Sequence, residues 1–254
     1  LARQAYIAGF RATLSMLNYV AQYGTPIPSV EAVVEEALLN GTILGQEEPL
    51  LIGATFPEIR QVIEERAGKQ GINITLSDPI VSVSHTEPWH LSVELVTDIA
   101  ISDIAEIAYW NRTGTSIVAH IPITYFEDPL YIVSTNGVST NKIKKSPYEI
   151  FVQGTNIQNL SDHALNSYYI NSSLSPSFIM RLEGINSPDP NGVESLVNLQ
   201  ELSSQGISVQ DKSVVDYIYF SSQNPSSSRV AGMPSWFKLD AEHLAIYNAT
   251  HLAV

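Results

Sequence analysis

The side chains whose types and spacing come nearest to chemistry are few. Asp240 and His243 stand one helical turn apart, and "HTEPWH" separates His85 and His90 by five positions across a proline. Neither matches a zinc pattern such as H-E-x-x-H, in which two imidazoles one turn apart converge on the metal. Asp189, Asn191 and Glu194 place oxygens in the Gly/Pro loop "SPDPNGVESL", without the twelve-residue spacing of a calcium loop. Glu127 and Asp128 form an adjacent carboxylate pair, but neighbours on a strand point to opposite faces. Serines are numerous, yet no G-x-S-x-G elbow holds one of them. The absence of cysteine excludes thiolate metal sites, cysteine nucleophiles and disulfides. The sequence therefore predicts no catalytic residue, no metal ligand set and no cofactor. A carboxylate pair for glycoside hydrolysis is a property of geometry, so a secreted hydrolase remains one alternative.

One pattern does recur. Asn40, Asn73, Asn111, Asn159, Asn171 and Asn248 each precede a Ser or Thr by two positions, the acceptor pattern for N-linked glycan; Asn224 is followed by proline and does not qualify. Chance supplies roughly two or three such triplets in a chain of this Ser/Thr content. The six are read as glycosylation sites. Because a glycan needs an exposed side chain, each is expected to point to solvent, Asn111 from the outer face of a strand.

Charge sets further limits. The net charge is −13 and the only basic cluster is Lys142, Lys144 and Lys145, read as a solvated loop. Nucleic acid, which needs a basic stripe, is excluded as a partner. Only 15% of residues are charged against 44% apolar, which leaves neutral polar groups to wet the surface, as in secreted β-rich proteins. No run of about 18 apolar residues spans a membrane.

These residues must be positioned by three successive textures. In residues 1–71, Ile7, Phe10, Leu14 and Leu17 recur at helical spacing and form a face read either as packed into the core or as packing against other subunits in an assembly; Gly24 ends the helix. Ser29 caps a second helix over 30–39, and Thr55 with Glu58 has capping-box spacing for a third. Residues 72–126 read as an antiparallel meander: "INITLSDPIVSVS", "WHLSVELVTDIAI" and "IAEIAYWNRTGTSIVAHIPI" are strands, with a turn at Ser102-Asp103. In 127–254, short strands ("LYIVST", "YEIFVQG", "VVDYIYFSS") alternate with helices in "NLSDHALNSYY", "NGVESLVNLQELSSQG" and "WFKLDAEHLAIYN". Helices followed by strands argue for an α+β fold, built as one head or two closely packed subdomains. Tyr168, Tyr169, Tyr217, Tyr219, Trp236 and Phe237 gather in the last third, either as core or as a concave carbohydrate- or protein-binding surface.

The stretches "EEALLNGT", "WHLSVELVTDIAISD", "YWNRTGT", "FEDPLYIVSTNG", "LNSYYINSS", "SFIMRLEG", "GVESLVN", "VDYIYFS" and "WFKLDAEHL" resemble, in that order, archaeal type IV pilin-like surface proteins. The resemblance implies an extracellular, sugar-decorated head on an N-terminal helix, anchored by an apolar segment that lies outside this chain. It implies copies of itself or other surface subunits as partners, with carbohydrate or cell surfaces as further ones, and a structural or adhesive role rather than catalysis.

Overall fold

The computed structural model describes residues 1–105 and 107–254, and it is α+β as expected. Two compact units divide the chain, one of Leu1–Val20 with Ile27–Pro122, the other of Ala21–Pro26 with Ile123–Val254.

The first unit opens with α1 (Ala2–Tyr23), whose last residues from Ala21 on and whose closing Gly24, at φ +65°, fall to the second unit. Then come α2 (Val30–Asn40), a ribbon of β1 (Thr42–Ile43) and β2 (Gln46–Glu47), and α3 (Phe56–Gly68). The Ser29 hydroxyl accepts from the Ala32 amide, and Thr55 and Glu58 close a reciprocal capping box, as the spacing predicts. The sheet has β3 (Ile72–Leu76), β4 (Ile80–Glu87), β5 (His90–Asp103) and β6 (Tyr109–Pro122). β3 and β4 lie end to end along one edge of β5, interrupted at Ser77, Asp78 and Pro79, while β6 runs the length of the other edge. The meander therefore has three lines, as its composition predicts. Its hairpin turn falls beyond Ser102-Asp103: the Asp103 carboxylate accepts from the amides of Ile107 and Ala108 and ties the loop.

Packing of α1 departs from the core reading of that face. Its most buried stripe is Ala5, Ala8, Gly9, Ala12, Met16 and Val20, not Ile7, Phe10 and Leu14, which are half-buried; Leu17 is buried. Small side chains let a helix backbone approach a sheet closely. A Cβ on Gly9 would sit 3.1 Å from Val93 Cγ2 and 3.3 Å from Ile121 Cδ1. Large residues on that stripe would hold the helix away, so the bulky face turns elsewhere, with the Tyr6 and Phe10 rings stacked at 6.2 Å.

The second unit comprises α4 (Pro129–Ser134), α5 (Gln158–Leu165), β7 (Tyr169–Asn171), α6 (Phe178–Leu182), β8 (Val193–Ser195), α7 (Leu199–Ser204), α8 (Asp216–Tyr219), β9 (Ser227–Arg229), β10 (Lys238–Asp240) and α9 (Ala241–Ile246). Two expected strands are helices here. "LYIVST" becomes α4 because Asp128 accepts from the Leu130 amide as an N-cap and Pro129 suits the first turn. "VVDYIYFSS" turns helical at Asp216, and "YEIFVQG" has no strand. Conversely, "NGVES" is the strand β8, paired with β7, and only Leu199–Ser204 of that stretch is helical.

β8 is entered through Gly192, whose φ is ordinary but whose space is not. An added Cβ would lie 2.0 Å from the Ser175 carbonyl oxygen and 2.4 Å from that of Ser172. Gly192→Ala is expected to lower stability by about 3 kcal/mol or more, measured by chemical denaturation, because backbone rather than a flexible side chain must yield. A loss below about 1 kcal/mol would show that the loop relaxes freely.

Candidate functional site

The densest cluster of titratable groups lies inside the second unit, around β8. Arg181 on α6 is fully buried, between two buried carboxylates. Its Nη1 donates to Asp128 Oδ2 at 2.6 Å and Asp216 Oδ2 at 3.1 Å, and its Nη2 donates to Asp216 Oδ1 at 3.2 Å and to the Val193 carbonyl. The lone pairs left on the acids are used as well. Tyr169 OH donates to Asp128 at 2.7 Å, while Ser195 donates to Asp216 through its amide and its hydroxyl, at 2.9 and 2.8 Å. Burial pushes Asp128 upward, with the Asp216 charge adding to the shift and Arg181 opposing it.

A second cation sits one residue along β8. His243 Nδ1 is 2.8 Å from Asp240 Oδ1, and Nε2 is 3.3 Å from Glu194 Oε2. Burial alone would lower the His243 pKa; the hydrogen bonds and charges of Asp240 and Glu194 outweigh it and push the group up to about 10. Burial likewise works against the Asp240 carboxylate, but His243 and the Ser213 hydroxyl hold it at about 2. Tyr247 OH donates to Glu194 Oε1. Thus Asp128–Arg181–Asp216 and Asp240–His243–Glu194 are two carboxylate–cation–carboxylate sandwiches joined by neighbours on one strand. His243 is an imidazolium held on both nitrogens, without a lone pair to abstract a proton or bind a metal.

The remaining acids do not converge. Asp189 accepts from the Asn191 amide in a local turn, whereas Glu194 points into the core with His243, so the expected loop oxygens part. Asp128 is buried and Glu127 half-buried, 4.0 Å from Lys142. In the first unit, Glu48 and Glu58 line a pocket of about 290 Å³, but Glu58 accepts from the Thr55 hydroxyl and the amides of Gly53 and Thr55. The Thr55 hydrogen bond is the main cause of a pKa lowered below the ordinary carboxylate value, the wrong direction for a proton donor near neutrality. Among the described residues no group of three or more His, Asp or Glu is arranged to hold a metal ion.

The acceptor asparagines lie at the surface. Asn40, Asn73, Asn111, Asn171 and Asn248 are exposed, and Asn159 is half-buried. Asn73 and Asn111 share the open face of the sheet, since Asn73 pairs with Ser102 and Asn111 with Ala100, two residues apart on β5. Two strand spacings and one two-residue step separate them by on the order of 12 Å. The same face carries a pair that local sequence hides: Ser92 Oγ and His120 Nδ1 share a hydrogen bond at 3.1 Å, brought together by the β5–β6 register. Ser92 is buried, and among the described residues no carboxylate hydrogen-bonds the His120 ring, so the pair lacks an orienting acid. Of the late aromatics, Tyr169, Tyr217, Tyr219 and Phe237 are core; Tyr168 and Trp236 are half-buried. They do not build one concave surface.

Arg181→Met leaves two buried carboxylates unpaired and is expected to lower stability by about 3–5 kcal/mol. Adding Asp128→Asn and Asp216→Asn should recover part of the loss, which chemical denaturation of the single and triple variants would measure. The pH dependence has two limbs. His243, raised above its ordinary 6.5, contributes fully below pH 6.5 and loses that contribution as pH rises toward 10. His163 is buried beside Phe151 and Tyr247, and burial lowers it to about 3, so its contribution is present above pH 6.5 and lost as pH falls from there toward 3. Each limb has a slope of up to about 1.4 kcal/mol per pH unit. Denaturation across pH is expected to flatten on the alkaline side in His243→Gln and on the acid side in His163→Gln. Compared with protein-family models, curated proteins and solved structures, the chain matches none.

Proposed function

We propose that this chain is the head of an extracytoplasmic surface protein, N-glycosylated, structural or adhesive in role, and pilin-like in organisation. The observation that carries the reading is the placement of the acceptors: five of the six asparagines are exposed, on both units, and two share the open face of a sheet. The sealed ionic cluster fits the same picture, because its acids and cations are used by one another.

The helix α1 suits an assembly role through its less buried side. Its small-residue stripe is buried, with Gly9 against the sheet, while Ile7, Phe10 and Leu14 are half-buried and Tyr6 is exposed. This is a bulky apolar stripe of the kind helices offer to one another in a filament. The proposed partners are copies of the chain or related surface subunits.

Glycan-resolved peptide mapping of protein from its native source tests the first part. Occupancy is expected at Asn40, Asn73, Asn111 and Asn171, and to be lower at Asn159 and Asn248, whose side-chain amides already donate to the carbonyls of Ile150 and Val152. A bare chain overturns the glycosylated reading. Phe10→Asp in the full-length anchored protein is expected to abolish assembly while circular dichroism shows the head still folded; assembly that persists removes α1 as an interface.

A further inference from the structure

One pocket of the second unit has the make-up of a binding site and serves no other part of the account. It has a volume of about 400 Å³ and is lined by Thr124, Tyr125, Lys144, Lys145, Pro147 and Tyr168. Its walls are held by the backbone. Tyr125 donates its amide to the Ile143 carbonyl at 2.8 Å, Tyr169 to that of Lys144 at 2.8 Å, and Ser146 to that of Tyr169 at 2.8 Å. The lysine-bearing segment is thereby pinned between the two tyrosine-bearing ones.

Tyr125 is the informative residue. Its φ is +72°, a conformation that favours glycine and that a bulky side chain adopts only at a penalty. Core packing does not account for the tyrosine, because the residue is 73% exposed. Neither backbone nor interior calls for an aromatic ring here, so the ring is left to act on something outside the chain. Tyr168 and Pro147 add a second ring and an apolar edge. Lys144 adds an exposed ammonium group, on a chain whose net charge of −13 otherwise repels anions.

We infer that this pocket binds an acidic glycan, a pyranose bearing a carboxylate such as a uronate. The apolar C–H face of a pyranose packs on tyrosine rings, which bring large contact area at low entropic cost. Its carboxylate meets Lys144. Lysine acts as a point charge toward carboxylate and phosphate alike, so it is the ring faces that select a sugar, and inorganic phosphate in the test separates the two anions. The pocket's volume accommodates a short oligosaccharide rather than a folded partner. The inference goes beyond the surface role proposed above and stands apart from its glycosylation, because binding is measured on the bare chain.

The test is calorimetric titration of the whole chain with trigalacturonate, beside maltotriose as a neutral sugar and inorganic phosphate as a bare anion. Trigalacturonate is expected to bind about tenfold or more tightly than either control. Lys144→Gln should remove that preference, and added salt should weaken binding in the parent only. Tyr125→Gly should lose the binding while its thermal midpoint stays level or rises, because glycine relieves the backbone. Equal binding of maltotriose or of phosphate overturns the inference, as does no binding of any probe. A clear loss of stability in Tyr125→Gly also overturns it, since the ring would then be serving the fold.

Discussion

Everything in the second unit is arranged around the cost of burying Arg181. A guanidinium taken out of water loses several kcal/mol of hydration unless its surroundings replace it. Here α6 carries the cation, α4 brings Asp128 at its N-cap, α8 brings Asp216, and β8 offers the Val193 carbonyl. Each element is short, three to six residues, and none would persist alone. They are fixed because each supplies a lone pair to one buried charge. The next residue of β8, Glu194, repeats the device with His243 and Asp240, so a three-residue strand joins two ionic sandwiches. Apolar packing from Leu196, Val214, Val215, Phe237 and Leu239 surrounds them and keeps the dielectric low.

The first unit rests on a different physics. Its sheet is long, one face is apolar, and α1 meets that face at Gly9, beside Val93 and Ile121. Most of this unit is readable from the chain, because its signals are local: a capping box at Thr55 and Glu58, a cap at Ser29, a stop at Gly24, alternation along β5. What was not readable is which side of α1 meets the sheet. The bulky residues suggest one stripe and close approach selects the other, and that choice depends on the partner surface.

The second unit was far less legible, for a related reason. Its strands and helices are too short to show a period, and β8 is buried on both faces while carrying Glu194 and Ser195, so hydrophobic alternation misreads it. The Asp-Pro step at 128–129 is a local helix start that the strand-like "LYIVST" masks. The Arg181 network spans separations of 35 and 53 residues to its two acids and leaves no local trace. The asparagines of the Asn-x-Ser/Thr pattern are the opposite case: the pattern itself is local, and the exposure of Asn40, Asn73, Asn111, Asn171 and Asn248 follows from standing at a helix end, on strands and in a turn.

Interior and surface thus differ in kind, with charges inside used to hold short elements together and neutral polar groups wetting the outside. The claim on which this division rests is that the cluster around β8 stays closed. Native-state hydrogen exchange of the Ser195 amide, which donates to Asp216, tests it most directly. The account predicts exchange only through global unfolding, at the slowest rate in the unit. Exchange at Ser195 as fast as in the 222–226 loop, with the rest of the unit still protected, would contradict it, because the cluster would then open to solvent as a working site does.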